Sequence, residues 1–213
     1  MSDDRTSATR HLYDTVAGTY AEVLPDTRAE APLDLGILDQ FIASLPDSDL
    51  PVLDAGCGTG RMLRHLLARG VSSLIGVDLS SEMISYARAS TPGVAIEIAD
   101  LRALPFANAS VRAILCWYAI IHSPLSDVAI IVREAARVLA PGGPIVLGFQ
   151  AGVGERVVEG AYGHDVPLRG VLHQTEAIAQ LLVEAGFDVT ATVDRAPIGT
   201  ERSAQGFVLA RRR

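Results

Sequence analysis

The chain contains no lysine; all 18 of its basic residues are arginine. Cysteine is nearly as scarce, with Cys57 and Cys116 the two present, and aromatic residues make up 5% of 213 positions. Two thiols so far apart spell no metal site and suit a reduced, cytoplasmic protein without a disulfide framework. Long apolar runs are missing too: no window approaches 18 uncharged apolar residues, and the opening "MSDDRTSATR" has no apolar stretch of the kind that directs export. Neither a membrane partner nor secretion is expected. Positive surface is short as well, because the formal net charge is −7 and the one basic run is Arg211, Arg212 and Arg213 at the C-terminus. A nucleic-acid partner needs a basic face to neutralise phosphates, so none is expected.

What is present is enough apolar material, 49% of residues, for one well-filled domain spanning 1–213. From about residue 51, short β-branched runs alternate with helical patterns, which implies crossover units around a mostly parallel sheet. Val52 to Ala55 reads as a first strand, 73–79 as a second, 94–99 as a third, 111–117 as a fourth and 144–149 as a fifth. "DVTATV" (188–193) and "AQGFVLA" (204–210) read as an antiparallel pair at the sheet end. Helices are expected over 61–69, where Met62, Leu63, Leu66 and Leu67 share a face before Gly70, after Ser80 or Ser81, over 127–139, and over 175–184. The fold class is therefore α/β and doubly wound, with helices on both faces of a core at 49–213. Residues 1–48 are expected to form a helical cap, broken near Pro25 and Pro32. Residues 150–174 hold several glycines and no clear periodicity, so a long lid loop is expected there.

"VLDAGCGTGR" (52–61) places Gly56, Gly58 and Gly60 between a strand and a helix, where an open parallel sheet receives a ligand. The dinucleotide fingerprint fails at its last glycine, which is Arg61 here, and no phosphate-loop lysine follows. Asp54 either accepts hydrogen bonds from the glycine-loop amides or faces a cation; a carboxylate there would repel a pyrophosphate. Asp78 ends the second strand 18 residues after Gly60, where an acid can reach a ribose diol. Asp100 ends the third, beside Leu101, positioned for an adenine amine and ring nitrogen, while Leu79 and Met83 supply apolar walls. Each acid taken alone could equally be a helix cap or a solvated strand end.

Together "VLDAGCGTGR", "GVDLS", "IADLRALPF", "ILCWYAIIH" and "EAARVLAPGGPIVLGF" resemble the successive motifs of class I S-adenosylmethionine-dependent methyltransferases, over about residues 10–210. The resemblance implies a seven-stranded sheet with an antiparallel last hairpin and S-adenosylmethionine as methyl donor. It implies Asp54, Ala55, Gly56, Cys57, Gly58, Gly60 and Arg61 near the methionine moiety, Asp78 on the ribose, and Asp100 with Leu101 at the adenine. "YDTVAGTYAE" resembles the family's cap, in which tyrosines such as Tyr13 and Tyr20 close over the methionine carboxylate or simply pack the helix on the sheet. Trp117 and Tyr118 then flank the methyl-transfer centre, and His122 is either a base for the acceptor or a hydrogen-bonded scaffold. The signatures of DNA-amino, cytosine C5 and arginine methylation are missing, which leaves a small-molecule acceptor. Arg169, Arg195 and Arg202 are either a receptor for an acidic acceptor or solvated surface charge. The rivals are a sensor that binds S-adenosylmethionine without turnover and a nicotinamide-dependent oxidoreductase; the latter is opposed by Arg61, Asp54 and the lack of a Tyr-x-x-x-Lys pair.

Overall fold

The structure is a computed structural model that describes residues 2–213, with side chains described from residue 4 onward; Met1, the first residue of the expected cap, lies outside them. Nine strands and six helices follow one another as α1 (Ser2–Val23), α2 (Pro32–Ala43), β1 (Val52–Ala55), α3 (Arg61–Ala68), β2 (Leu74–Asp78), α4 (Ser81–Ser90), β3 (Ala95–Ile98), β4 (Ala113–Trp117), α5 (Leu125–Val138), β5 (Pro144–Ala151), β6 (Gly154–Val158), β7 (Leu168–Leu172), α6 (Thr175–Glu184), β8 (Phe187–Arg195) and β9 (Ala204–Arg212) among the described residues.

Seven strands form one sheet in the order β3-β2-β1-β4-β5-β9-β8. The first five run parallel, β9 is antiparallel to β5, and β8 is antiparallel to β9. Chain order reverses between β1 and β4, and a crevice opens at the carboxyl ends of the strands at such a switch point. Both faces are covered at the central strands β1, β4 and β5, which is why these read as largely unbroken apolar runs, whereas the edge strands β3 and β8 are mostly exposed and carry polar residues. In β4, Ile114 and Cys116 face one core with α5 and α6, whereas Ala113, Leu115 and Trp117 face the other with α2, α3 and α4. Helix α5 buries Val128, Ile131, Val132, Ala135 and Val138, a spacing that lines up on one helical face.

The cap is two helices joined by a short 3₁₀ turn at Thr27–Ala29, with Pro32 opening α2 where its missing N–H is no loss. Leu12, Val16 and Ala17 of α1 pack with Met83 of α4 and Ala161. Asp14 of α1 accepts from Ser80 Oγ at 2.6 Å and from the Glu82 N–H at 3.3 Å, so its charge sits at the positive end of α4. Helix α2 is held to the far end of the sheet by Arg195, whose guanidinium meets Asp34 at 2.8 and 2.9 Å and Glu201 at 2.7 Å on each oxygen. Arg195 is thus neither a receptor for an acidic acceptor nor solvated surface charge, but a buried clamp between cap and sheet. Arg169 and Arg202 are exposed.

The segment 150–174 differs from the expected loop. β5 continues to Ala151, and β6 pairs antiparallel with β7 from Gly154 opposite Leu172 to Val158 opposite Leu168. The hairpin joins the body through Val171 N–H to Ile121 O at 2.7 Å and His173 N–H to Gln150 O at 3.1 Å. Its backbone ladder is regular, but of its strand residues only Gly170 is buried, so no apolar alternation is written into the side chains. Sequence periodicity reports burial, and a hairpin that buries so little leaves no such signal.

Candidate active site

A cavity of about 400 Å³ lies over the carboxyl ends of the strands and runs from Asp100 after β3 to Gln205 on β9. That is within the usual range for a small-molecule site. Its floor begins with the glycine loop. Gly58 has a left-handed φ of 53°, lines the cavity, and a Cβ placed on it would meet no atom within 4 Å. The backbone is therefore bare where a ligand would approach. Gly56 serves a different purpose, because a Cβ there would stand 2.3 Å from the Ala119 Cβ. Gly60 faces α4, where a Cβ would touch Ala87 and Ser90 at 3.2–3.3 Å; it is the glycine of close helix packing.

Asp78 organises the loop. Its Oδ2 accepts from the Gly58 N–H at 2.8 Å and its Oδ1 from the Ser80 N–H at 2.9 Å, while the carboxylate also lines the cavity. Burial raises its pKa, and these amide bonds oppose the rise. Asp100 accepts from the Arg102 N–H at 2.9 Å and from the Arg102 guanidinium at 2.6–3.1 Å. Burial alone would raise its pKa, but the Arg102 contacts outweigh it and hold the group below its ordinary value. Both acids accept from nearby backbone N–H groups and also line the cavity.

Tyr13, Tyr20, Gly56, Gly58, Arg61, Asp78, Leu79, Met83, Asp100, Leu101, Trp117, Tyr118 and His122 all line this one cavity. Asp54, Ala55, Cys57 and Gly60 are not on its wall. Ala55 and Cys57 point into the two cores, and the Gly56 and Cys57 N–H groups are both taken by Val77 O. Asp54 is 1% exposed, and its Oδ2 has no hydrogen-bond partner among the described residues. A strand pleat sends alternate residues to opposite faces, so a motif that is contiguous in sequence does not all reach the ligand.

Asp54 still acts through its field. Burial, with Asp78 adding to it and Arg61 opposing, pushes its pKa up to about 7. The folded state therefore favours the protonated acid, and this group's contribution to stability is lost as pH rises through about 7. Binding a cation nearby would favour the ionised form, so affinity for a positively charged ligand should be about fivefold weaker at pH 6 than at pH 7. Calorimetry with Asp54→Asn checks this: the variant should lose the pH slope, and an unchanged slope would remove Asp54 as its source.

At the end of β4, Tyr118 holds a left-handed φ of 59° that turns the chain after Trp117. Burial first, then Asp34, raises the Tyr118 phenol pKa, so it is an O–H donor rather than a base. Trp117 stacks on Phe207 at 5.2 Å and donates from Nε1 to Glu30 Oε1 at 3.0 Å. His122 Nδ1 lies 2.5 Å from Arg169 O, and a carbonyl only accepts, so Nδ1 carries the hydrogen. Nε2 then accepts from the Tyr13 hydroxyl at 2.8 Å. Burial lowers the His122 pKa, against the raising effect of the Arg169 carbonyl, and the ring is neutral at neutral pH.

Wall residues that the sequence motifs did not single out are Glu30 and Asp34 from the cap, Arg102, Gln150, Glu201 and Gln205. Apart from Arg102, which lies within "IADLRALPF", they come from segments with no motif of their own, and only the fold gathers them. Tyr162 also lines the cavity, its ring 5.3 Å from Tyr20.

A doubly wound sheet with its switch-point crevice, a bare glycine loop and acids at successive strand ends defines an α/β fold with its ligand cavity at the carboxyl edge of the sheet. Residues 52–143 match the family described as Methyltransferase domain. Over that stretch the chain is similar to the methyltransferase domain family, and its fold is a Rossmann-like α/β fold of the kind found in methyltransferases of known structure. It is similar to the malonyl-[acyl-carrier protein] O-methyltransferase of Erwinia billingiae, 38% identical over 95 residues that cover 45% of this chain and 37% of that one. An uncharacterized 37.1 kDa protein in transposon Tn4556 of Streptomyces fradiae is 31% identical over 209 residues, covering 92% of this chain and 59% of its own. The chain thus spans between 37% and 59% of the length of these curated relatives. Among solved structures, a methyltransferase of Methanosarcina mazei matches in fold with a TM-score of 0.70 at 18% identity, covering 86% of this chain and 98% of that one. Among the described residues, no helix is long and apolar enough to cross a membrane.

Proposed function

We propose that the protein transfers a methyl group from S-adenosylmethionine to a small-molecule acceptor. The observation that carries this reading is the continuity of one cavity, from the acids after β2 and β3 past Trp117 and Tyr118 to Gln150 and Gln205. A nucleoside fits the first part, leaving the second for an acceptor. The residues fit the donor: Asp78 for the ribose, Asp100 and Leu101 for the adenine, Leu79 and Met83 as its walls, and Tyr13, Tyr20 and Arg61 around the amino-acid end. When bound, S-adenosylmethionine supplies a methyl group on a sulfonium, a leaving group that needs no covalent help from the protein. The chain's work is to orient the acceptor and exclude water, to which Tyr13 and Tyr20 of α1 and Tyr162, between β6 and β7, contribute from the cavity wall. Where the acceptor must lose a proton, it passes to the Tyr13 oxygen as the Tyr13 proton moves to His122 Nε2, with Nδ1 kept protonated by Arg169 O. His122 thereby acts through Tyr13, and Tyr118 donates a hydrogen bond to the acceptor.

The net charge of −7 supports a small acceptor over nucleic acid, as does the pairing of the cavity's cations: Arg61 with Glu30, Arg102 with Asp100 and Asp127, Arg5 with Glu155. A cytoplasmic setting is supported by two buried free thiols. Trp117 is the one tryptophan and lies on the cavity wall, so its fluorescence reports occupancy directly. Titration with S-adenosylhomocysteine should give a saturable change and NADH none; saturable NADH binding without any response to S-adenosylhomocysteine would overturn the assignment. Turnover on a panel of small metabolites then separates an enzyme from a sensor.

A further inference from the structure

We propose that Glu30, in the linker of the cap, is the receptor for the α-ammonium of the donor's amino-acid end, with Arg61 beside it for the α-carboxylate. This rests on the reading of S-adenosylmethionine as the methyl donor. The Glu30 side chain is 4% exposed and lines the cavity. Its Oε1 is used twice, accepting from the Arg61 guanidinium and from Trp117 Nε1. Its Oε2 is buried and has no hydrogen-bond partner among the described residues. A buried carboxylate oxygen left this way is costly, and buried polar groups in folded proteins are nearly always matched.

The surroundings select the matching group. A ligand carrying only negative charge would meet the Glu30 carboxylate and be repelled by it. A metal ion would want several ligands, and among the described residues no group of three His, Cys, Asp or Glu side chains could hold one. A primary ammonium needs one strong acceptor and brings its own donors, which is what Oε2 lacks. Arg61, 10% exposed and close enough to Tyr20 and Asp54 to interact with both, offers guanidinium N–H groups for a carboxylate on the same ligand. An adjacent acid and base, both buried on the wall of one cavity, match an amino-acid zwitterion. Glu30 comes from the cap rather than the sheet, so the same contact would tie closure of α1 and α2 to occupancy by a ligand with a free amine.

The test needs three ligands: S-adenosylhomocysteine, its deaminated analogue that keeps the carboxylate, and 5′-methylthioadenosine, which lacks the amino-acid end. On the unmodified protein the deaminated analogue should bind at least tenfold more weakly than S-adenosylhomocysteine. Glu30→Gln should weaken S-adenosylhomocysteine by a similar factor and leave the other two within about twofold, which also verifies that the variant is folded. Equal affinity of the unmodified protein for S-adenosylhomocysteine and its deaminated analogue would overturn the proposal without any variant. So would a Glu30→Gln protein that weakens all three ligands alike, since Glu30 would then only shape the pocket through Arg61 and Trp117. Failure of the unmodified protein to bind S-adenosylhomocysteine overturns the donor reading and this one together.

Discussion

Asp34→Ala should lower stability by roughly 3 kcal/mol, because it leaves half of a buried guanidinium without its partner. Arg195 and Asp34 are 6% and 3% exposed as side chains, so solvent cannot take over the lost contacts. Glu201 keeps its two bonds to Arg195, which holds the loss at the low end for breaking a buried pair. The same substitution removes the acceptor for the Ala31 N–H at the start of α2. For a chain of this length the change corresponds to a fall of roughly 6–12 °C in the thermal midpoint. Scanning calorimetry at neutral pH measures it. A shift under about 2 °C would mean that desolvation of the pair already cancels its attraction, and that the cap is held to the sheet by apolar packing alone.

The second large effect is expected at Asp78. Its alanine variant should bind S-adenosylhomocysteine roughly 1.5–3 kcal/mol more weakly, the range for losing charge-assisted hydrogen bonds. That is a factor of about ten to more than a hundred in the dissociation constant. The structure adds a reason beyond ribose contact, because the same carboxylate fixes the Gly58 and Ser80 amides and hence the shape of the glycine loop. Asp100→Ala should cost less, since its carboxylate is largely engaged by Arg102. Isothermal calorimetry on both variants settles the order, and an Asp78→Ala protein within threefold of the original would remove this residue from the binding site.

Much of the sheet was readable because parallel strands covered on both faces must be apolar along their whole length, as "AILCW" and "PIVLGF" are. The cavity wall was legible where the chain itself forces a group to the carboxyl edge: Gly58 in its left-handed turn, Asp78 and Asp100 at strand ends. It was not legible at Asp54, Ala55 and Cys57, which are buried off the wall, nor in β6 and β7, which bury too little to leave a pattern. Gly60 was read for a ligand although its missing side chain makes room for α4.

By itself, the sequence determined the succession of strands and helices outside 150–174, the absence of a lysine-based chemistry and the negative balance of the chain, because these depend on residue type and on spacing along one segment. Only the tertiary structure decided which acids find partners. Glu30 meets Arg61 and Trp117, Asp34 meets Arg195, and Tyr13 meets His122 across separations of 31 to 161 residues. Whether a charge is a receptor, a clamp or a solvated end depends on burial and on what stands opposite, and both are properties of the packed chain.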